Sequence, residues 1–436
     1  MGLERLINLR DEMISCHHCG HCKVVPLPVV RHPEYMDQCP ISMHFHFHGH
    51  SGGGLSIMAL ALVDGRIEVD QSLADVVFSC TTCGYCDVAC KFMMDAERQT
   101  INMALREHVV EKGLAPHQHI ETVKSLKRYD AHPTTPARLP KWAQGLDIKL
   151  LPEQQAEVLL FAGSAAGEDA ERDNLARKLA QLFLKGGLSV GVLGSAEPSC
   201  GHEAYAMGFR EEFTRIANKN IELFAELQEN GLKTIVTLSG CDHGTINAKY
   251  PEYARPFATE VIHATELLAK LVKDGRIDLK KTVEKRVTYH DPCYLGRQNE
   301  KPVNYHGVRK ISLGQMRTWD PPRKVNRGAD GVYDAPRELL GKIPGLKFVE
   351  MHRIREYGLC CGSGGGAADI VPEMSRFVAL DRIDEAADVG AEYLVTACKN
   401  CTAGFRRALA GGGGNGSAMN ITDIVDLVYE SAALGD

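Results

Sequence analysis

Apolar and polar positions along the chain follow two different patterns. Residues 1–114 open with MGLERLINLRDEM, which reads as the start of an amphipathic helix, and hold no alternating apolar runs that would make a sheet. From about residue 156 onward, short apolar runs alternate with long amphipathic stretches. VLLFAG (158–163), TIVTL (234–238), the start of VTYHDPC (287–293) and YLVTA (393–397) predict buried strands. EEFTRIANKNIELFAELQENG predicts a long helix that stops at Asn230-Gly231. Strands that alternate with helices in this way predict parallel sheets. The stretch between the two regimes contains APHQH and AHPTTPARLPKW, is rich in proline, and reads as a linker over 115–155.

The second regime resembles itself. One unit, 156–280, runs from VLLFAG through EPSCGHEAYAMGF and TIVTL to EVIHATELLAKLV. The other, 286–436, runs from VTYHDPC through LCCGSGGGAAD and YLVTA to NITDIVDLVYE. Ser164 follows the first strand of its unit as Cys293 follows that of the other. Ser164 to Ser199 spans 35 positions and Cys293 to Cys360 spans 67. An insertion at 300–330 accounts for the excess. It carries seven basic and three acidic residues and Trp319, and reads either as a lid or docking surface beside Cys293 or as a tolerated surface loop. The fold class expected is α/β, with an N-terminal α-helical domain before two repeated small parallel α/β units.

Bulk composition changes this picture little, with one exception. The chain has 436 residues, 44% hydrophobic and 24% charged, and a net charge of −6. That balance disfavours nucleic acid as a partner. No apolar run approaches the ~18 residues that cross a bilayer, and no signal peptide is evident. A cytoplasmic protein is expected, possibly peripheral to a membrane complex. The exception is a total of 15 cysteines, which in an intracellular chain of this size suggests metal rather than disulfides.

Their spacing narrows the metal. Cys16, Cys19 and Cys22 precede a remote Cys39. Cys80, Cys83 and Cys86 precede Cys90. This C-x2-C-x2-C pattern written twice fits two cubane [4Fe-4S] clusters in which the fourth ligand is exchanged between motifs. The expected sets are therefore Cys16, Cys19, Cys22 with Cys90, and Cys80, Cys83, Cys86 with Cys39. Structural zinc prefers paired C-x2-4-C motifs, so a zinc-stabilised binding scaffold is the alternative from another class. The first motif departs from the compact pattern in its long gap before Cys39, and the second has Lys91 where a proline is usual. Between the motifs, His44, His46 and His48 alternate with Phe45 and Phe47, and His50 follows. Alternation would put the imidazoles on one face of an extended segment. The segment reads as a loop with packed phenylalanines or, on the other reading, as a metal site.

The second unit carries Cys293, the adjacent pair Cys360-Cys361, Cys398 and Cys401. Cys293, Cys398 and Cys401 fall at the carboxyl ends of predicted strands, where ligands collect in such sheets. Five thiols exceed the four that a cubane needs. They imply an altered cluster, or a thiol left over for chemistry, with glycines letting backbone come close to it.

HDPCYLGR, YDAPRELL, CCGSGGG and TACKNC resemble the cysteine-rich CCG domain of iron–sulfur oxidoreductases related to the D subunit of heterodisulfide reductase. That family joins a dicluster ferredoxin domain to two CCG units, so the resemblance covers nearly the whole chain. It implies a noncubane [4Fe-4S] cluster held by Cys293, Cys360, Cys361, Cys398 and Cys401. It implies a place among other redox subunits, flavin or iron–sulfur proteins, and is compatible with the D subunit of class II benzoyl-CoA reductase complexes. In the first unit only Cys200 and Cys241 are expected at ligand places, with Ser164, Ser199 and Gly244 at the others. No cluster is expected there, and a zinc site of Cys200, His202, Cys241 and His243 is the alternative to a spent site. The function expected is electron transfer between two cubanes and the noncubane centre, or else reduction of a disulfide or quinone at that centre. GSGGGAAD (362–369) follows the cysteine pair rather than a strand, so no nicotinamide or flavin site is expected from it.

Overall fold

The computed structural model describes every residue except 1, 94, 128–136, 164–168, 304, 313–315, 415, 417 and 435–436; the side chains at 93, 309, 311, 312, 316 and 317 are also outside the description. Ser164 therefore lies outside the described residues.

The repeat is present as topology. The strands are β1 (Lys149–Leu150), β2 (Val158–Phe161), β3 (Val190–Val192), β4 (Thr234–Thr237) and β5 (Glu260–His263) in the first unit. The second has β6 (Arg286–Tyr289), β9 (Lys347–Phe348), β10 (Tyr393–Thr396) and β11 (Asn420–Asp423). The first sheet has the order β1-β3-β2-β4-β5 and the second β11-β10-β6-β9, so β3-β2-β4-β5 repeats as β9-β6-β10-β11. All pairings in both sheets are parallel. Strand side chains alternate between two cores, as the period of two requires. Leu159, Phe161, Ile235 and Leu394 enter one core with Cys200, Cys241, Cys360, Cys361, Cys398 and Cys401. Val158, Leu160, Val236, Val287 and Val395 enter the other.

The predicted long helix is Arg210–Glu229, with its C-cap at Asn230. Gly231 follows at φ +98°, a conformation that costs glycine nothing. The N-terminal domain is helical, and its core includes Leu6, Met13, Leu55 and Ile101 together with Leu359, Met374 and Val378 of the second unit.

Three expectations need revision. The stretch 115–155 is more than a linker. It forms helix His117–Leu126, which buries His119, Val123 and Leu126, and contributes β1 to the edge of the first sheet. The histidine-rich segment is not extended. Pro40 starts a helix, Pro40–Phe45, that ends at a left-handed His46, so His44 and His46 do not share a strand face. The insertion folds as an antiparallel hairpin, β7 (Val308–Ser312) and β8 (Met316–Asp320). Trp319 Nε1 donates to Asp95 at 2.6 Å and Arg323 bonds the same carboxylate, which fastens the insertion to the N-terminal domain.

Candidate iron–sulfur centres

The two N-terminal motifs meet around one helix. Cys16, Cys19, Cys22 and Cys90 line one small cavity, with His48 and Gly53. Cys39, Cys80, Cys83 and Cys86 line a second, which Cys22 also borders. Both expected sets thus converge. Between them stands the first turn of helix Gly52–Val63, capped by Ser51, whose hydroxyl accepts from Gly54 N. A Cβ on Gly52 would come within 3.0 Å of Cys86 Sγ. One on Gly53 would lie 3.3 Å from Cys22 Sγ and 3.7 Å from Cys16 Sγ. The Gly-Gly pair is therefore a cradle that any side chain would fill. Its signal was in the sequence, in SGGG beside the histidines, but is legible only once both cysteine motifs are known to flank it.

Two residues that sequence reasoning missed also face these sulfurs. Arg98, fully buried, donates from Nε to Cys90 Sγ at 3.3 Å. Asn102 donates from Nδ2 to Cys86 Sγ at 3.6 Å. Donors aimed at thiol sulfurs are what a thiolate ligand needs from its surroundings. Burial pushes the Cys39 and Cys86 thiols well above the ordinary value, so a metal cation is needed to hold them as thiolates.

In the second unit the five expected cysteines form one connected group. Each of the thiols of Cys293, Cys360, Cys361, Cys401 and Cys398 shifts the titration of its neighbour in this order. Hydrogen bonds from Cys360 and Cys401 hold Cys361 well below the ordinary thiol value, and those from Cys241 and Cys401 do the same for Cys398. Cys293 and Cys401, on the donor side of this group, are pushed well up. Such a group of soft sulfur ligands, dry and glycine-flanked, suits iron–sulfur chemistry. Cys398 is the N-cap of helix Lys399–Ala410 at the end of β10, the strand end where the sequence placed it.

Two glycines after Cys361 make a close backbone approach of another kind. A Cβ on Gly364 would meet Thr81 O at 2.4 Å, and one on Gly365 would meet Cys80 O at 2.8 Å. They let the CCG loop lie backbone to backbone on the Cys80–Thr82 turn. There Cys293 and Cys83 hold the Cys360 thiol below its ordinary value. Two buried arginines tie the same junction. Arg106 donates to Cys80 O, Val77 O, Ala206 O and Gly365 O. Arg297, from the HDPCYLGR motif, donates to Cys83 O and to Glu356 O and Gly358 O.

One buried histidine also joins the group. A ring nitrogen of His290 lies within 4.8 Å of the sulfurs of Cys361 and Cys401. Arg382 donates to His290 Nδ1 at 3.3 Å, and Arg382 and Arg353 both bond the buried carboxylate of Glu385.

The first unit's register differs from the one its cysteines suggest. Thr237 pairs with His263 and Thr396 with Asp423. His263 and Asp423 both cap the following helix, so Thr237 and Thr396 are equivalent. Two residues on, Ser239 and Cys398 are each a helix N-cap. Ser239 and Asp242 are thus the equivalents of Cys398 and Cys401, and Cys241 corresponds to Asn400. Cys200 Sγ lies 3.0 Å from Asp242 Oδ1, matching the Cys361–Cys401 contact. Only Cys200 remains at a ligand place among the described residues. Gly244 holds no ligand's position, since a Cβ there would be 2.1 Å from Tyr294 O.

The alternative zinc site does not assemble. His202 Nδ1 pairs with Thr245 Oγ1, His243 Nδ1 with Thr237 Oγ1, Cys200 with Asp242, and Cys241 with Cys398. Each of the four has a different partner, because Cys241 crosses to the second unit.

Comparison with known proteins agrees with this organisation. The model of a 4Fe-4S dicluster domain matches residues 12–93, and that of a cysteine-rich domain, CCG, matches 158–244 and 324–406. The chain is 30% identical over 383 residues to the D subunit of the dihydromethanophenazine:CoB–CoM heterodisulfide reductase of Methanosarcina mazei, covering 85% of this chain and 82% of that one. It is 29% identical over 342 residues to the probable iron–sulfur-binding oxidoreductase FadF of Bacillus subtilis, covering 76% of this chain but 43% of that one. It is 28% identical over 344 residues to the EtfAB:quinone oxidoreductase of Syntrophomonas wolfei, covering 75% of this chain and 43% of that one. Among the described residues no helix is long and apolar enough to cross a membrane. With both matched domain types in the order the resemblance requires, the chain belongs to the family of iron–sulfur oxidoreductases related to the D subunit of heterodisulfide reductase.

Proposed function

We propose that this oxidoreductase is an electron-transferring subunit with three centres in series. Cys16, Cys19, Cys22 and Cys90 would hold one cubane [4Fe-4S] cluster, and Cys39, Cys80, Cys83 and Cys86 the other. Cys293, Cys360, Cys361, Cys398 and Cys401 would hold a noncubane [4Fe-4S] cluster. Bound there, such clusters supply one-electron chemistry at potentials set by charge, hydrogen bonding and burial.

The residues themselves order the sites. Cys19 is exposed, which gives the first set a surface where a partner can reach it. Cys22 borders the cavity of the second set. Cys360 of the third set holds the Cys83 thiol of the second well above its ordinary value. The observation that carries the reading is the packing of the vicinal-cysteine loop on the Cys80–Thr82 turn, with Arg297 donating to both Cys83 O and Gly358 O. Arg98, Arg106 and Arg297 place buried positive charge along the way, which offsets the negative charge of thiolate-rich centres. Burial of Cys360, Cys361, Cys398 and Cys401 excludes water from the terminal site.

The partners would be other redox subunits, since the relative from Methanosarcina mazei is itself named as one subunit of a reductase. A second reading, reduction of a disulfide or quinone at the terminal centre, is favoured by the names of two relatives. Anaerobic purification of the native assembly and assay of the isolated, reduced chain separate the two. The relay reading expects co-eluting redox subunits and no turnover of disulfide or quinone by the chain alone. Turnover without partners would replace it. Co-elution with the subunits of a class II benzoyl-CoA reductase would fix the assembly.

A further inference from the structure

Among the described residues the first unit keeps only Cys200 at a place equivalent to the second unit's five cysteines, yet its strand-end loop reaches into the second unit's site. Ser239 Oγ lies 3.7 Å from Cys398 Sγ, and Cys241 Sγ lies 3.4 Å from the same sulfur. Asn400 Nδ2 lies 3.5 Å from Cys241 Sγ. A backbone hydrogen bond from Gly240 N to Ala397 O, 3.0 Å, fixes the two strand ends against each other. Ser239, Cys241 and Cys398 are 3%, 7% and 1% exposed, so water does not compete for these contacts.

The direction of each bond follows from chemistry. A sulfur bound to iron is a thiolate and can only accept. Ser239 must then donate its O–H to Cys398, and Cys241 its S–H. Asn400 can only donate from Nδ2, so it occupies a lone pair of Cys241 and leaves that thiol's proton for Cys398. The chain of donors runs Asn400 to Cys241 to Cys398, with Ser239 converging on the same sulfur.

We propose that Ser239 and Cys241 of the first unit are positioning residues of the terminal centre, donating hydrogen bonds to Cys398 and holding the centre's reduction potential above the value the second unit alone would give. A donor to a cluster sulfur withdraws charge and favours the more negative, reduced state. The proposal rests on the reading that the five cysteines of the second unit hold the noncubane cluster.

The test is a potentiometric titration followed by electron paramagnetic resonance on the full chain, purified anaerobically, with iron counted in the same samples. Ser239→Ala and Cys241→Ala are expected to lower the midpoint of the terminal centre. Ser239→Thr and Cys241→Ser, which keep an O–H, are expected to restore it. Both cubane midpoints and the iron content should stay at the parent values in all four. An unchanged terminal midpoint in both alanine variants overturns the proposal. So does a common shift of all three centres, which would mark a merely structural effect. Loss of iron in Cys241→Ala would also overturn it, by making Cys241 a ligand instead of a donor. A parent protein that lacks the third centre altogether fails the underlying reading, and the two failures are told apart by that sample alone.

Discussion

The two α/β units share one topology and differ in what fills the strand ends. In the second, Cys361, Cys398 and Cys401 are sulfurs around a dry site. In the first, Cys200, Ser239 and Asp242 stand at those places. The hydrogen bonds behind the two sites differ as well. Behind the second site Arg353, Arg382 and Glu385 form a buried ionic network. Behind the first, Asn220 donates to Ser199 O and to Tyr250 Oη, and Tyr250 donates to Cys200 O. The comparison teaches that a duplicated fold can keep its backbone while only one copy keeps a full set of cysteines at its strand ends.

The sharpest way to break this contrast is to exchange its sulfurs. Cys361→Ser should remove the terminal centre, lowering iron by about four atoms per chain and abolishing transfer beyond the cubanes, while Cys200→Ser should leave iron unchanged; iron analysis of both decides it. Next in size is the ionic network. Glu385→Ala leaves Arg382 buried without its carboxylate and Arg353 with Asp381 alone, and should cost about 3–5 kcal/mol in anaerobic denaturant unfolding.

Most of the fold was legible because strand and helix periods are local. VLLF, TIVT and YLVT are strands where a short, continuously apolar run requires a buried strand, and the repeat follows from their order. The cysteine sets were legible because iron–sulfur spacing is a short-range rule. What was not legible depended on distant partners. The helix His117–Leu126 is mostly polar in sequence, and its three buried residues acquire meaning only when His119 packs on Gly366. Pro40 and a left-handed His46 override the alternation of histidine and phenylalanine. Cys241 and Gly244 were aligned with the second unit's C-x2-C by cysteine identity. The sheet register shows Ser239 and Asp242 there instead, since only strand pairing fixes which residue stands at the strand end.

Two smaller changes sharpen the comparison further. Gly244→Cys should graft no ligand into the first unit. Its Cβ would collide with Tyr294 O, so a loss of about 1–3 kcal/mol and no gain of iron are expected, read from unfolding and metal analysis. Tyr250→Phe removes one hydroxyl from the neutral network and should cost about 0.5–1.5 kcal/mol, with the spectra of all centres unchanged. A larger spectral change at the terminal centre than in stability would show that the first unit's shell is not merely structural.

Iron stoichiometry combined with Mössbauer spectroscopy on the anaerobically purified chain tests the central claim most directly. Three centres predict about twelve irons, with eight in cubane and four in noncubane environments. About sixteen irons would mean that the first unit is loaded too, and about eight, all cubane, would mean that the vicinal cysteines hold no cluster; either result contradicts the account.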